Sequence, residues 1–224
     1  MNYQHKSVLL QEAIDGLNVK SGQKYIDATL GGGGHTVEII KRGGIVLGLD
    51  ADSEAIEFVS ENQKSKIKNQ KLKLARGNFK DIDKIAKENG FDKVAGVLFD
   101  LGVSSHQLDN PERGFSYLKS GPLDMRMDQR LGVKAADLLN ALGKNELYDL
   151  FKILGEDHRA RTIAEAIVKK RKSDPFETTN DLISVLTKAY GFSEITDFSK
   201  ATSSKKIFQA LRIAVNDEIN ALRE

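Results

Sequence analysis

The first hundred residues alternate between two hydrophobic periods. Short β-branched or apolar runs occupy 24–28 (KYIDA), 44–50 (GIVLGLD), 71–75 (KLKLA) and 94–100 (VAGVLFD). Between them, 36–41, 53–61 and 81–89 repeat apolar residues every three to four positions, the spacing of a helix with one buried face. Asp52 or Ser53 stands where the second of these helices needs an N-cap, and Gly90 stands where the third must stop. Strands alternating with helices predict βαβ units, whose crossovers make the sheet parallel. The near-continuous apolar character of IVLGL and VAGVLF predicts strands covered on both faces. The expected fold class is α/β.

From about Asn110 the texture changes. The segments AADLLNALGKNELYDLFKILG, HRARTIAEAIVKKRK and TTNDLISVLTKAYG read as helices with no clear strand among them. The last segment, 203–224, places Ile207, Leu211, Ala214, Val215, Ile219 and Leu222 on one stripe and predicts a single amphipathic helix. A Rossmann-like domain is therefore expected over 1–109 and 204–224, with a helical insertion over 110–203. In a parallel sheet a crossover helix delivers the chain to another strand, and none follows Glu224, so the pattern leaves two expectations: C-terminal strands are missing, or the last helix closes the fold.

Composition adds mainly exclusions. At 224 residues, 40% apolar and 29% charged, the chain can bury one core of ordinary size. A formal net charge of +2 is too near neutral to announce a polyanion partner, which must be argued from local clusters. The absence of cysteine removes disulfides, thiolate metal sites and covalent cysteine chemistry together. The amino terminus lacks the apolar core of a secretory signal, and no run approaches the roughly 18 apolar residues of a membrane span, so a cytoplasmic protein is expected.

Three of the strand-like runs end in aspartate: Asp27, Asp50 and Asp100. In open parallel sheets ligands bind beyond the carboxyl ends of the strands, where these side chains would stand. Gly31 to Gly34 follow the first strand without a β-carbon, so a ligand can lie directly on the backbone. Asp50 comes 19 residues after Gly31, near the spacing at which an acid accepts from ribose hydroxyls. The third glycine of a dinucleotide fingerprint would fall on Thr36, which disfavours NAD and a dinucleotide-dependent oxidoreductase. S-adenosylmethionine, with an adenosine and no pyrophosphate, needs the close approach and the acid without the full fingerprint. The loop 99–128 is long, polar and glycine-rich, yet carries Phe115, Tyr117, Leu118, Leu123, Met125 and Met127 to anchor it. His106 within it is left without a role.

Together, HKSVLLQEAIDGL, YIDATLGGGGHT, GLDAD, GNF, LFDLGVSSHQLDNPERGFSYLKSGPLDMRMD, GEDHRARTIAEAIV and FQALRIAVNDEINAL resemble the bacterial family that methylates N4 of a decoding-region cytidine in 16S ribosomal RNA. The resemblance implies a class I methyltransferase fold, S-adenosylmethionine as cofactor, and a helical insertion that helps form the RNA site, with the small ribosomal subunit as partner. It implies cofactor contacts at Gly33, Gly34 and His35, at Asp50 beside the ribose, at Phe79 beside the adenine, and at Asp100 with Gln107 at the methionine end. The family continues past this point with further strands, including a segment resembling SFHSLEDR that does not occur here, which would leave the strand at 94–100 with an open edge. HRART at 158–162 also departs from the family's aromatic and denser basic cluster.

Methylation of cytosine C5 ordinarily needs a cysteine nucleophile, so the missing cysteines favour the exocyclic amine. Asp100 is the candidate catalytic residue, orienting the methionine amine or accepting from N4, although DLGVSS stands where many amine methyltransferases carry (D/N)PP(Y/F). Seven basic positions (His158, Arg159, Arg161, Lys169, Lys170, Arg171, Lys172) are candidates for RNA phosphates, with Phe115 or Tyr117 as stacking surfaces for a base turned out of its helix. A catalytically silent RNA-binding fragment is the rival reading. The oligomeric state stays open, a dimer among the options.

Overall fold

The computed structural model describes residues 9–62 and 71–224. The first four residues of the HKSVLLQEAIDGL motif lie outside them. The chain forms two compact units, one of 1–105 with 221–224 and one of 106–220.

In the first unit, helix α1 (Leu10–Leu17) precedes β1 (Lys24–Asp27), α2 (Gly34–Lys41), β2 (Ile45–Asp50), α3 (Ser53–Asn62), β3 (Leu72–Arg76), α4 (Ile82–Glu88) and β4 (Gly96–Leu98). All strand pairs are parallel, in the order β3-β2-β1-β4. Strand periodicity divides the core: Tyr25 and Val46 face Ile14, Ile39 and Ile40 of α1 and α2, while Ile26 and Leu47 face Ala86 of α4 and Phe91. Each fully buried aliphatic side chain contributes about 1.5–3 kcal/mol, so the two-faced burial dominates the stability of this sheet. β4 is shorter than the seven-residue run anticipated for it. Phe99 and Asp100 leave the ladder because the Asp100 N–H goes to Thr29 Oγ1 at 2.7 Å. Asp52 Oδ1 accepts the Glu54 N–H at 3.1 Å, supporting the start of α3. Gly90, at φ 77°, closes α4 as expected.

The second unit contains α5 (Ser105–Asp109, whose first residue belongs to the first unit), α6 (Ala135–Ala141), α7 (Lys144–Ile153), α8 (Ala160–Lys170), α9 (Thr179–Ala189), α10 (Asp197–Asn216) and the first half of α11 (Glu218–Arg223), whose residues from Ala221 on belong to the first unit. Helices α7, α8, α9 and α10 pack in succession, and α10 returns to α7. Leu147, Phe151, Ile163, Ile167, Leu182, Leu186, Ile207 and Leu211 are buried. The loop from 110 to 134 is anchored as its apolar residues predict, with Phe115, Leu123 and Met125 buried. Arg113 Nη2 donates to the Arg126 and Met127 carbonyls at 2.9 and 3.1 Å, and Asn216 donates to Met125 O while accepting from Met127 N–H.

The single helix expected over 203–224 is two helices. Thr196 Oγ1 accepts the Ser199 N–H and starts α10 earlier, and Asp217 ends it in the left-handed conformation at φ 50°. Asn220 Nδ2 donates to Asp217 Oδ1 at 2.7 Å, and Arg212 pairs with Glu218 across the break. The apolar stripe therefore stops at Val215, and Ile219 and Leu222 are exposed. α10 packs on α6, α7 and α9, so 204–216 lie with the helical unit and not with the sheet.

Candidate active site

The carboxyl ends of the strands carry the three aspartates into three environments. Asp27 is fully buried: Oδ2 accepts the Thr36 hydroxyl at 2.7 Å and Oδ1 lies 3.4 Å from the Thr29 amide. Burial pushes its carboxyl above the usual range, opposed by the Thr36 hydrogen bond and by His35. Asp27 thus faces inward and braces the turn, rather than meeting a ligand as its position at a strand end implied.

Asp50 stands across the glycine turn. Its Oδ2 accepts the Gly31 N–H at 2.8 Å and its Oδ1 the Asp52 N–H at 2.9 Å. Burial raises its carboxyl to about 6 despite those two amides. Two of the roughly four acceptor positions of the carboxylate are filled, leaving two for hydroxyl donors. The turn itself needs glycine: Gly31 and Gly33 take φ of 48° and 77°, where L side chains are strained, and Gly33 caps α2. The first amides of α2 then have no β-carbon between them and a ligand.

Asp100 is the open member, with its side chain 44% exposed and Oδ2 3.7 Å from His35 Nδ1. His35 is buried in the first turn of α2, and its Nε2 is one of three buried side-chain polar atoms without a hydrogen-bond partner among the described residues. Phe79 follows β3 in a one-turn 3₁₀ helix, and its ring meets Phe99 edge-on at 5.7 Å. Gly33, Gly34, His35, Asp50, Phe79 and Asp100 all belong to the first unit, at the carboxyl ends of its strands. Gln107 belongs to the second unit, buried on α5.

The pattern reading missed the two threonines. Thr36 ties α2 to Asp27, and Thr29 ties the post-β4 loop to the turn. For Thr29 the available sign is its place two residues after an aspartate, a spacing that forms Asx turns; Thr36, nine residues from Asp27, carries no local sign.

These parts make an acid aligned with open main chain, an aromatic ring, and an exposed carboxylate suited to a cation. Such acceptors suit a nucleoside carrying a positively charged tail. Residues 2–224 match the MraW methylase family. The chain belongs to that family. Its curated relatives include three proteins named ribosomal RNA small subunit methyltransferase H. That of Halothermothrix orenii is 46% identical over 224 residues, covering 99% of this chain and 70% of its own length. Those of Carboxydothermus hydrogenoformans and Clostridium botulinum (strain Loch Maree / Type A3) are 44% and 42% identical, each covering 100% of this chain and 71% and 72% of their own lengths. The family assignment accounts for the α/β fold and for the methylase chemistry anticipated from the motifs.

In the second unit the basic cluster divides. Arg171 Nη1 donates to the Leu139 and Leu142 carbonyls, both at 2.6 Å, closing the end of α6. Arg159 donates to Ala189 O and covers the Tyr190 ring at 4.8 Å. Lys170 pairs with Asp174 at 2.8 Å. His158, Arg161, Lys169 and Lys172 are exposed, with Arg161 over the Tyr148 ring at 4.9 Å. Phe115 is buried beneath Arg113 and is not available to stack on a base, whereas Tyr117 keeps partial exposure beside Phe208. Among the described residues no helix is long and apolar enough to cross a membrane, and no group of acids and histidines could hold a metal ion.

Proposed function

We propose that this chain transfers the methyl group of S-adenosylmethionine to the N4 amine of a cytidine in small-subunit (16S) ribosomal RNA, in the cytoplasm. The observation that carries the reading is the Asp50 carboxylate held 2.8 Å from the Gly31 amide across a turn free of β-carbons. The residues fit the cofactor: Asp50 would take the ribose hydroxyls on its two remaining acceptor positions, Gly33 and Gly34 would admit the ligand against the backbone, Phe79 would cover the adenine, and Asp100 would receive the methionine ammonium. When bound, S-adenosylmethionine supplies an electrophilic methyl group on a sulfonium centre.

The chain's own contribution is placement and charge. The N4 lone pair is delocalised into the cytosine ring, so the amine must be held in line with its target while positive charge grows on nitrogen. The Asp100 carboxyl is exposed and fixed at its backbone by Thr29, which suits both orienting an ammonium and stabilising that charge. With no cysteine to attack the ring, the exocyclic amine is the acceptor rather than C5. Phosphates are held by the exposed set His158, Arg161, Lys169 and Lys172, while Arg159, Lys170 and Arg171 hold the helical unit together.

The test is incubation with methyl-labelled S-adenosylmethionine and either free 16S RNA or small subunits, followed by digestion to nucleosides. Label in N4-methylcytidine supports the reading and shows which form is the substrate. Label in 5-methylcytidine, or donor binding without transfer to either form, overturns it.

A further inference from the structure

The side chain of His35 is not explained by contacts of the glycine turn, which are made by main chain. Its ring is buried, Nδ1 faces Asp100 Oδ2 at 3.7 Å, and Nε2 has no hydrogen-bond partner among the described residues. Asp27, the other acid near the ring, has its two oxygens directed to Thr36 and Thr29. A buried N–H without an acceptor is a costlier defect than a bare ring nitrogen, so the proton belongs on Nδ1, the nitrogen that faces a carboxylate.

We propose that His35 is a positioning residue whose Nδ1–H orients the Asp100 carboxylate, presenting its other oxygen to the cationic end of the methyl donor. The contact is longer than a hydrogen bond, so in this structure it acts as a charge–dipole interaction between a buried ring and a half-exposed acid. The buried partner is the one the fold spends effort on. His35 sits between Gly34 and Thr36, and the Thr36 hydroxyl locks this turn of α2 onto Asp27, while Thr29 holds the backbone of Asp100. The histidine thereby sets the direction of an acid whose main chain is already set. This inference rests on the donor site proposed above only for its effect on binding, and not for the tautomer.

Two measurements on the whole chain test it. Nitrogen-15 NMR of labelled histidine, assigned by comparison with His35→Asn, reads which ring nitrogen carries the proton, with or without donor. The expected result is protonation at Nδ1 in the wild type and a changed Nδ1 chemical shift in Asp100→Asn, where the facing carboxylate is lost. Protonation at Nε2 in the wild type would overturn the proposal even if no donor ever binds. Calorimetry with S-adenosylhomocysteine then compares His35→Asn, whose amide can place an N–H near Nδ1, with His35→Phe, which keeps only ring volume. Affinity within a few-fold of wild type in the first and a loss of roughly tenfold in the second, at equal melting temperatures, supports the role. Equal affinity in both refutes it. Absence of binding in the wild type counts against the proposed donor site, and the NMR result then decides the positioning role alone. If His35→Phe does not fold, the comparison of wild type with His35→Asn and Asp100→Asn still decides.

Discussion

If Asp50 holds the ribose as proposed, its carboxyl makes donor affinity a function of pH. Its two oxygens already accept from the Gly31 and Asp52 amides, so both remaining acceptor positions are required if two ribose hydroxyls are to be held. A proton on either oxygen removes one of those positions and places a donor where a donor must arrive. With the carboxyl raised to about 6 by burial, roughly a tenth of the protein is ionised at pH 5 and roughly nine tenths at pH 7. The affinity for S-adenosylhomocysteine should therefore rise about tenfold between those two values, with a midpoint near 6 in the free protein. Isothermal titration calorimetry over this range measures it directly, and Asp50→Asn supplies the control: weaker binding, flat with pH. A wild-type affinity that does not change between pH 5 and pH 7, or a step that persists in Asp50→Asn, would refute the reasoning.

The same group leaves a mark on stability. Because its folded value lies above the ordinary 3.8, the folded state binds more protons between the two values, so this contribution is complete below about pH 4 and lost as pH rises through 6. Urea midpoints of the wild type should fall over that window by the equivalent of up to about 3 kcal/mol more than those of Asp50→Asn, which keeps the contribution of the buried Asp27. Thr36→Val keeps the shape of the side chain but strips the buried Asp27 of its 2.7 Å donor; a loss of about 1–3 kcal/mol is expected by urea denaturation, largely restored in Thr36→Ser. Gly121→Ala would bring a β-carbon to 1.9 Å from the Pro111 carbonyl oxygen, a backbone contact that cannot yield, so the helical unit should lose cooperative unfolding by circular dichroism. Arg171→Met should cost about 1–3 kcal/mol of thermal stability by uncovering two carbonyls, whereas Lys172→Ala should leave stability unchanged and lower the salt dependence of RNA binding measured by filter retention.

What the chain disclosed in advance follows the range of the interactions involved. Strands and crossover helices were legible because their signal is local: Tyr25 beside Ile26 and Val46 beside Leu47 send side chains to opposite faces of the sheet, and the helices between them repeat every three to four residues. Gly33 was legible because few residues besides glycine adopt φ near 77° without strain. The inward aim of Asp27 was not, since it depends on a threonine nine residues away meeting it through the fold. Nor was the break at Asp217, where a helical pattern continues through residues the backbone has already turned away from α10. The basic cluster shows the same limit most clearly. Arg171 and Lys172 are adjacent and chemically alike in sequence, yet one fills the carbonyls of α6 and the other faces water.

A crystal structure with S-adenosylhomocysteine shows most directly where the methyl donor sits. The ribose hydroxyls should lie within hydrogen-bonding distance of the Asp50 carboxylate, with the ligand running over the main chain of Gly33 and Gly34 toward Asp100. A ligand bound elsewhere, or with its ribose turned away from Asp50, would contradict the proposed site.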